Sequence, residues 1–203
     1  MKYYYPLGND VDIKVYKYIN PDNPDLNEYW MTTTNPNDKT ILTESFDSKF
    51  NLYNTFLEEI NSEEANLLKY VEYEGDVFVK EINANIIEDK VFTSNQIDPY
   101  NYKVEYTNRF GRLSFEKQRQ FQEFCEIVAG GKKYQTAKFN DEYFINAIDQ
   151  QDKYDFTQTT YYSKGIGMVK YERQIPTGEV RILELQKILS VNEFDSLKKD
   201  AGY

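Results

Sequence analysis

The catalytic chemistry open to this chain is narrowed first by residues that it lacks. Its 203 residues include no histidine and one cysteine, Cys125. Histidine titrates near neutral pH without help and is the commonest transition-metal ligand. The chain therefore cannot form a Ser-His-Asp or Cys-His catalytic site. Because Cys125 has aromatic and aliphatic neighbours, we predict a buried, inert thiol, and we do not expect a zinc site.

Acid–base chemistry by carboxylates remains open, because the chain has 34 Asp and Glu residues. Adjacent carboxylates occur as Glu58-Glu59, Glu63-Glu64 and Asp141-Glu142. Neighbouring residues of a strand point to opposite faces, so such pairs seldom converge on one substrate atom. We interpret them as solvated residues and predict no catalytic residue. A hydrolase that works through carboxylates is the rival hypothesis.

Two loops have residues that are typical of ion or phosphate sites. Asp22, Asp25, Asn27 and Glu28 supply oxygen ligands, but the glycine and distal glutamate of an EF-hand are missing, which favours a turn with capping side chains. Gly165-Ile166-Gly167 lacks the third glycine and the following helix of a dinucleotide site. It indicates a bulge or a close backbone approach. We therefore expect neither a metal nor a cofactor.

Tyrosine is the residue type that most favours a binding role, since the chain has 19 Tyr and 13 Phe. We assign the candidate binding surface to Tyr16, Tyr18, Tyr161 and Tyr162, where tyrosines cluster. Cross-strand packing of the rings is the structural alternative. The net charge of −10 and the pI near 4.7 disfavour nucleic acid or an anionic membrane, and they favour a protein partner with a basic surface.

The elements that would position these residues are mostly strands. Alternating or β-branched runs predict strands, and Pro176-Thr177-Gly178 predicts a hairpin turn between two of them. The predicted strands are Val11–Ile19, Glu28–Thr34, Thr40–Phe46, Asn66–Glu74, Val77–Ile87, Lys90–Thr93, Tyr102–Thr107, Tyr134–Phe144 with an interruption at Asn140-Asp141, Gly167–Arg173 and Glu179–Leu185. A two-residue turn is predicted at Gly75-Asp76.

Three segments have patterns that also fit helices. Phe50–Ile60 fits a strand and a helix, and its Glu58-Glu59 ending favours the helix. Phe115–Ala129 fits both as well, and the strand-like run after Gly130-Gly131 favours a strand. Val191–Lys199 predicts a short terminal helix.

These elements predict one domain over residues 1–203 and a mainly β fold, with a β-rich α+β fold as the alternative. We expect a single curled antiparallel sheet around a Tyr and Phe core, with one or two short helices packed on it. A concave aromatic face of such a sheet is a natural ligand site. No apolar run approaches the length that spans a membrane.

Two stretches resemble a known group of proteins. The sequence YYSKGIGMVK at residues 161–170 resembles the YYAKGVGLVK closing hairpin of uncharacterised bacterial cell-envelope lipoprotein β domains. Residues 4–9, YYPLGN, resemble the opening of the same domains, although Asp10–Asp12 replace the usual Trp. The resemblance covers about a fifth of the chain. It implies an antiparallel sheet and an envelope location, and it supplies no catalytic residue.

The function predicted from these observations is that of a non-catalytic binding protein. One version is an envelope-associated module that uses an acidic, Tyr-rich surface. The alternative is a cytoplasmic immunity or inhibitor protein that neutralises a basic toxin, since an acidic protein would be steered towards such a target. Met1 is followed by Lys2 and three tyrosines, unlike a signal peptide, so we expect a cytoplasmic protein, or an envelope protein if Met1 replaces a removed signal.

Overall fold

The computed structural model describes residues 1–75, 79–95, 97–150 and 152–203. Thirteen strands and one α-helix occur in these ranges. The strands are β1 Asp12–Ile19, β2 Glu28–Asn35, β3 Thr40–Phe46, β4 Leu52–Ile60, β5 Glu64–Glu74, β6 Lys80–Asn83, β7 Asn85–Thr93, β8 Tyr100–Asn108, β9 Gly111–Ala129, β10 Lys132–Ala147, β11 Asp152–Ser163, β12 Gly167–Gln174 and β13 Val180–Leu189, and the helix is α1 Val191–Asp200.

The sheet closes into a barrel of twelve antiparallel strands. Its order is β4-β3-β2-β1-β13-β12-β11-β10-β9-β8-β7-β5, and pairing of β5 with β4 completes the ring. Strand β6 pairs with β5 beside the ring. The expected mainly β fold is confirmed, but the expected open, curled sheet is wrong. Closure satisfies the backbone groups that an open sheet leaves unpaired at its two edges.

Alternation along the strands separates the interior of the barrel from its outer face. In β1, the buried Tyr16 and Tyr18 point inward, whereas Lys17 between them is partly exposed. The interior is filled mainly by tyrosine and phenylalanine, as predicted for a Tyr and Phe core. Large rings are needed because the interior of a twelve-stranded barrel is too wide for small side chains to fill.

One end of the barrel is plugged by the N-terminal segment, and we call it the plugged end. Tyr4 and Tyr5 are buried there, and the Gly165 N–H donates to the Lys2 carbonyl at 3.0 Å. The Tyr5 ring lies against Gly167, where a Cβ atom would overlap it. The close approach predicted for these glycines is therefore confirmed at Gly167, whereas a Cβ atom on Gly165 would meet nothing within 4 Å.

The long hairpin of β9 and β10 also reaches over the plugged end. Its tip contacts β13, because the Gly130 N–H donates to the Glu184 carboxylate at 2.9 Å. A Cβ atom on Gly130 would overlap the Leu185 carbonyl oxygen. Gly130 has a φ of +53°, a conformation that glycine adopts without strain.

The helix α1 packs on the outer face of the barrel. Ser190 and Glu193 form a capping box, and Phe194 is buried against Tyr29 and Phe46. The predicted terminal helix is confirmed. No helix in the described part of the chain is long and apolar enough to cross a membrane.

Several local predictions are corrected by the strands. Residues 50–60 contain strand β4, so the predicted helix is wrong; pairing with β3 and β5 overrides the short helical stripe. The strand predicted over Val77–Ile87 begins outside the described residues, and residues 80–87 hold β6 and the start of β7, where one strand was predicted. Strand β10 is continuous through Asn140-Asp141. The turn at Gly75-Asp76 lies partly outside the described residues. The strand over residues 115–129 and the hairpin at 176–178 are confirmed.

Candidate functional site

The interior of the barrel contains a cavity of about 450 Å³. Its floor is formed by Tyr4 and Tyr5 at the plugged end. Aromatic rings line nearly half of its wall, among them Trp30, Tyr53, Phe56, Tyr102, Phe115 and Phe156. At the other end it is lined by Tyr154, which is 44% exposed, and by Arg181, and we call this end the rim. The volume is within the usual range of small-molecule sites.

A row of polar residues crosses one wall of the cavity. Strand pairing places Arg119 of β9 opposite Asp141 of β10, Asp141 opposite Gln158 of β11, Gln158 opposite Arg173 of β12, and Arg173 opposite Arg181 of β13. We call these five residues the polar row. They lie on one rung of the barrel, so their side chains point to the same side of the sheet.

Asp141 and Arg119 form a buried ion pair at one end of the polar row. Two Arg119 nitrogens, Nε and Nη2, donate to the two Asp141 oxygens at 2.6 and 3.0 Å. Lys117 Nζ lies 3.1 Å from Asp141, and Thr160 donates to it at 3.0 Å. Burial alone would raise the pKa of Asp141, but the two cations hold it below its usual value. This carboxylate is therefore fully paired.

Lys117, whose side chain is 12% exposed, shares the Asp141 carboxylate with Arg119. Burial and the neighbouring charge of Arg119 lower the pKa of Lys117 to about 7. Its Nζ also lies 4.9 Å from the centroid of the Tyr143 ring. Lys117 therefore loses its proton near neutral pH.

Arg173 is held in place by aromatic rings and one amide. Its guanidinium carbon lies 5.0 Å from the ring centroids of Phe156 and Tyr171 and 5.8 Å from that of Tyr143. Its Nε donates to the Gln158 side-chain oxygen at 2.8 Å. No carboxylate of the described ranges lies within 4.0 Å of it. Arg173 is thus a positioned cation without an ion-pair partner there.

Glu28 begins β2 close to the rim. Its oxygens accept hydrogen bonds from Trp30 Nε1 at 2.9 Å, the Tyr53 hydroxyl at 3.1 Å and the Tyr171 hydroxyl at 3.0 Å. Three neutral donors therefore stabilise this carboxylate. Its hydrogen bonds also fix the positions of the aromatic rings around it.

Glu58 is a buried carboxylate at the plugged end. It is 4% exposed, and the Tyr4 hydroxyl donates to it at 2.8 Å. Burial raises the pKa of Glu58 to about 7, despite this hydrogen bond and the charges of Arg119 and Lys117. Glu58 is thus half-protonated near neutral pH.

The two carboxylates that line the cavity do not converge. Pairing through β3 aligns Glu28 with residue 51, so Glu58 lies about seven residues farther along β4. At about 3.3 Å per residue this offsets their Cα atoms by roughly 20 Å along the strands. Glycosidase-type pairs need about 5 to 10 Å. The cavity therefore has ionised groups, but these two are too far apart to act on one bond.

The four tyrosines predicted to form a binding surface occupy different places. Tyr16, Tyr18 and Tyr162 are at most 6% exposed, so their predicted surface position is wrong. Tyr16 and Tyr18 donate to the carbonyls of Ile166 and Met168. Tyr162 lines the cavity and Tyr161 is half-buried, so they are not brought together on one surface. Closure of the sheet turned the expected concave face into an interior. Whether these tyrosines contact a ligand remains a prediction.

The charged residues in and beside the cavity were not predicted from the sequence. Glu58 and Asp141 were assigned to solvated faces, yet both are buried, and only their neighbours Glu59 and Glu142 are exposed. A signal was present in β9, where every second residue belongs to one face. Phe115, Lys117, Arg119 and Phe121 share that face, so two charges lie between two aromatic residues. A charge in the inward phase of an alternating strand indicates a polar interior site.

The remaining candidate residues have local roles. The 20–27 loop is a turn with capping side chains, as expected, but of the four predicted residues only Asn27 caps it. The other caps are the side-chain oxygens of Asn20 and Asn23. Cys125 is half-buried, with its Sγ 3.4 Å from the Thr136 hydroxyl, so the fully buried position is wrong. Over the ranges that the structure describes, no group of three or more Cys, Asp or Glu side chains is arranged to hold a metal ion.

The architecture defines the class of the protein as a twelve-stranded barrel with an internal cavity. It is similar to a "putative lipoprotein" from Parabacteroides distasonis, with a TM-score of 0.56 and 12% identity, over 91% of this chain and 97% of that one. It is equally similar to a "putative exported protein with YmcC-like fold" from Bacteroides fragilis, with a TM-score of 0.56 and 12% identity, over 94% and 100%. The likeness shows a shared fold. A scan of known protein families and a search of curated proteins find no match.

Proposed function

We propose that this protein is a non-catalytic binding protein of the bacterial cell envelope that holds a small ligand inside its barrel. The observation that carries the proposal is the cavity of about 450 Å³ with its aromatic wall. Aromatic walls with a few fixed polar groups are typical of ligand sites. The absence of histidine and the separation of Glu28 from Glu58 support a binding role over catalysis.

The envelope location is supported by the fold and by the resemblance of residues 161–170. Both similar structures are described as lipoprotein or exported proteins. Fractionation of the cells that encode the protein tests this part. We expect it in the envelope fraction, and recovery in the cytosol alone would contradict the location.

Ligand binding is tested with a neutral aromatic probe, N-phenyl-1-naphthylamine, whose fluorescence rises in an apolar site. We expect saturable binding to the wild type. Ser45→Phe fills the cavity, because Ser45 lines it and is 3% exposed. This variant should lose at least tenfold in affinity for the probe, since the added ring occupies the space that the probe needs.

The matched control is Thr33→Phe in the neighbouring strand β2. Thr33 lies between Thr32 and Thr34, which are buried on the inner side, and so points outward. The Thr33→Phe variant should bind the probe with the same affinity as the wild type. Equal affinity of Ser45→Phe and the wild type, with both folded by circular dichroism, would refute binding in the cavity.

A further inference from the structure

We propose that the ligand of the cavity carries an anionic group, a carboxylate, sulfonate or phosphate, which binds between Arg173 and Arg181 near the rim. This inference rests on the proposed function, because it assigns the chemistry of the ligand in the same cavity. It is carried by the unused donors of these two arginines and by their position opposite each other in the sheet.

Arg173 lines the cavity and has donors that no described residue accepts from. Only its Nε is used, by Gln158, and no described residue accepts a hydrogen bond from its two terminal nitrogens. The three surrounding rings, those of Tyr143, Phe156 and Tyr171, fix the plane of the guanidinium. A fixed guanidinium with two free terminal nitrogens matches the two oxygens of a carboxylate or phosphate.

Arg181 lies directly opposite Arg173 in the pairing of β12 with β13, and both line the cavity. Like charges placed opposite each other repel, and an anion between them removes that repulsion. Arg181 Nε lies 2.9 Å from Glu179, but both side chains are at least 40% exposed. Exposed ion pairs contribute little, so a ligand can replace Glu179 as the partner of Arg181.

The carboxylates near this position do not occupy the free donors of the pair. Glu28 attracts Arg173 but forms no ion pair with it within 4.0 Å, and its oxygens already accept three hydrogen bonds from other residues. Asp141, farther along the polar row, is paired with Arg119 and Lys117. The site therefore offers donors without free acceptors, next to an aromatic wall that suits an apolar body. It fits a small amphipathic anion.

The test compares two probes that differ by one charge. They are 8-anilinonaphthalene-1-sulfonate and N-phenyl-1-naphthylamine, which has the same ring skeleton without the sulfonate. Fluorescence titrations are made at constant ionic strength with wild type, Arg173→Gln and Arg181→Gln. We expect the wild type to bind the sulfonate at least tenfold more tightly than the neutral probe, as a charge-assisted hydrogen bond predicts.

Each arginine variant should lose about tenfold or more in affinity for the sulfonate and keep its affinity for the neutral probe. Arg112→Gln is the control, because Arg112 is 55% exposed and pairs with Glu105 outside the cavity. It should change neither affinity. Arg181→Gln alters a half-exposed side chain, so it provides the test if Arg173→Gln fails to fold.

The inference is overturned if the folded variants bind the sulfonate as tightly as the wild type, or if they lose both probes equally. Failure of the proposed function gives a different result. In that case the neutral probe binds the wild type and Ser45→Phe equally, or does not bind at all, whatever the arginine variants do.

Discussion

Glu58 gives the sharpest test of the interior that the structure describes. Its pKa is raised from 4.5 to about 7, because the carboxylate is buried. A group whose pKa is higher in the folded than in the unfolded state binds more protons when folded. Its contribution to stability is therefore complete below pH 4.5 and disappears as the pH rises through 7.

The magnitude follows from the two pKa values. Each unit of pKa corresponds to about 1.4 kcal/mol. Between pH 5 and pH 8 the contribution of Glu58 to the free energy of unfolding should fall by about 2.5 kcal/mol. Glu58→Gln is uncharged at every pH and still accepts from the Tyr4 hydroxyl. From pH 5 to pH 8, the free energy of unfolding of the variant should therefore rise by about 2.5 kcal/mol relative to that of the wild type.

Urea unfolding of both proteins at several pH values between 5 and 8 measures this difference. Glu59→Gln is the matched control, since Glu59 is the exposed neighbour on the same strand. The difference in free energy of unfolding between Glu59→Gln and the wild type should not change with pH. A change of less than about 1 kcal/mol for Glu58→Gln would refute the reasoning, because it would mean that Glu58 ionises in the fold as easily as in water.

Two further predictions concern stability and use the same urea assay. Gly130→Ala should lower the free energy of unfolding by at least about 2 kcal/mol more than Gly131→Ala does. Both glycines have positive φ, but only at Gly130 would the added Cβ meet the backbone of β13. Equal costs would show that the hairpin tip does not lie against β13. Asp141→Asn should lower the free energy of unfolding by about 3 to 5 kcal/mol, because it leaves the buried Arg119 cation without its carboxylate. Glu142→Gln, its exposed neighbour, should stay within about 0.5 kcal/mol; a similar effect of both would contradict the buried pair.

The local structure was largely predictable from the sequence. The run from Gly167 to Leu185 combines alternating side chains with a hairpin turn at Pro176-Thr177-Gly178, and it forms β12 and β13 as those signals indicate. Strand β11, which precedes it, was not predicted. Strand β4 was not predictable. Its apolar residues fit both periods, and the choice was made by pairing on both sides with β3 and β5, which are distant partners that no window of sequence contains.

Closure of the sheet was the decisive feature that local patterns do not contain. It depends on pairing of β4 with β5 and on the strand order, which places β13 beside β1. An open sheet exposes one face, so tyrosines on it suggest a surface for a partner. The closed sheet puts Tyr16 and Tyr18 in the interior, where their hydroxyls bind backbone carbonyls. Tyr16 and Tyr18 were therefore predicted on a surface but lie in the core, because the sheet is closed.

The two halves of the polar row differ in a way that separates a structural from a functional role. Arg119 and Asp141 satisfy each other with two short hydrogen bonds, so this half needs nothing more. Arg173 and Arg181 repel each other, and the terminal nitrogens of Arg173 have no acceptor in the described chain. Replacing buried charges with apolar residues often stabilises a protein, so an unpaired interior arginine costs stability. That cost is recovered when an anion binds, which is why we assign the ligand to this half of the row.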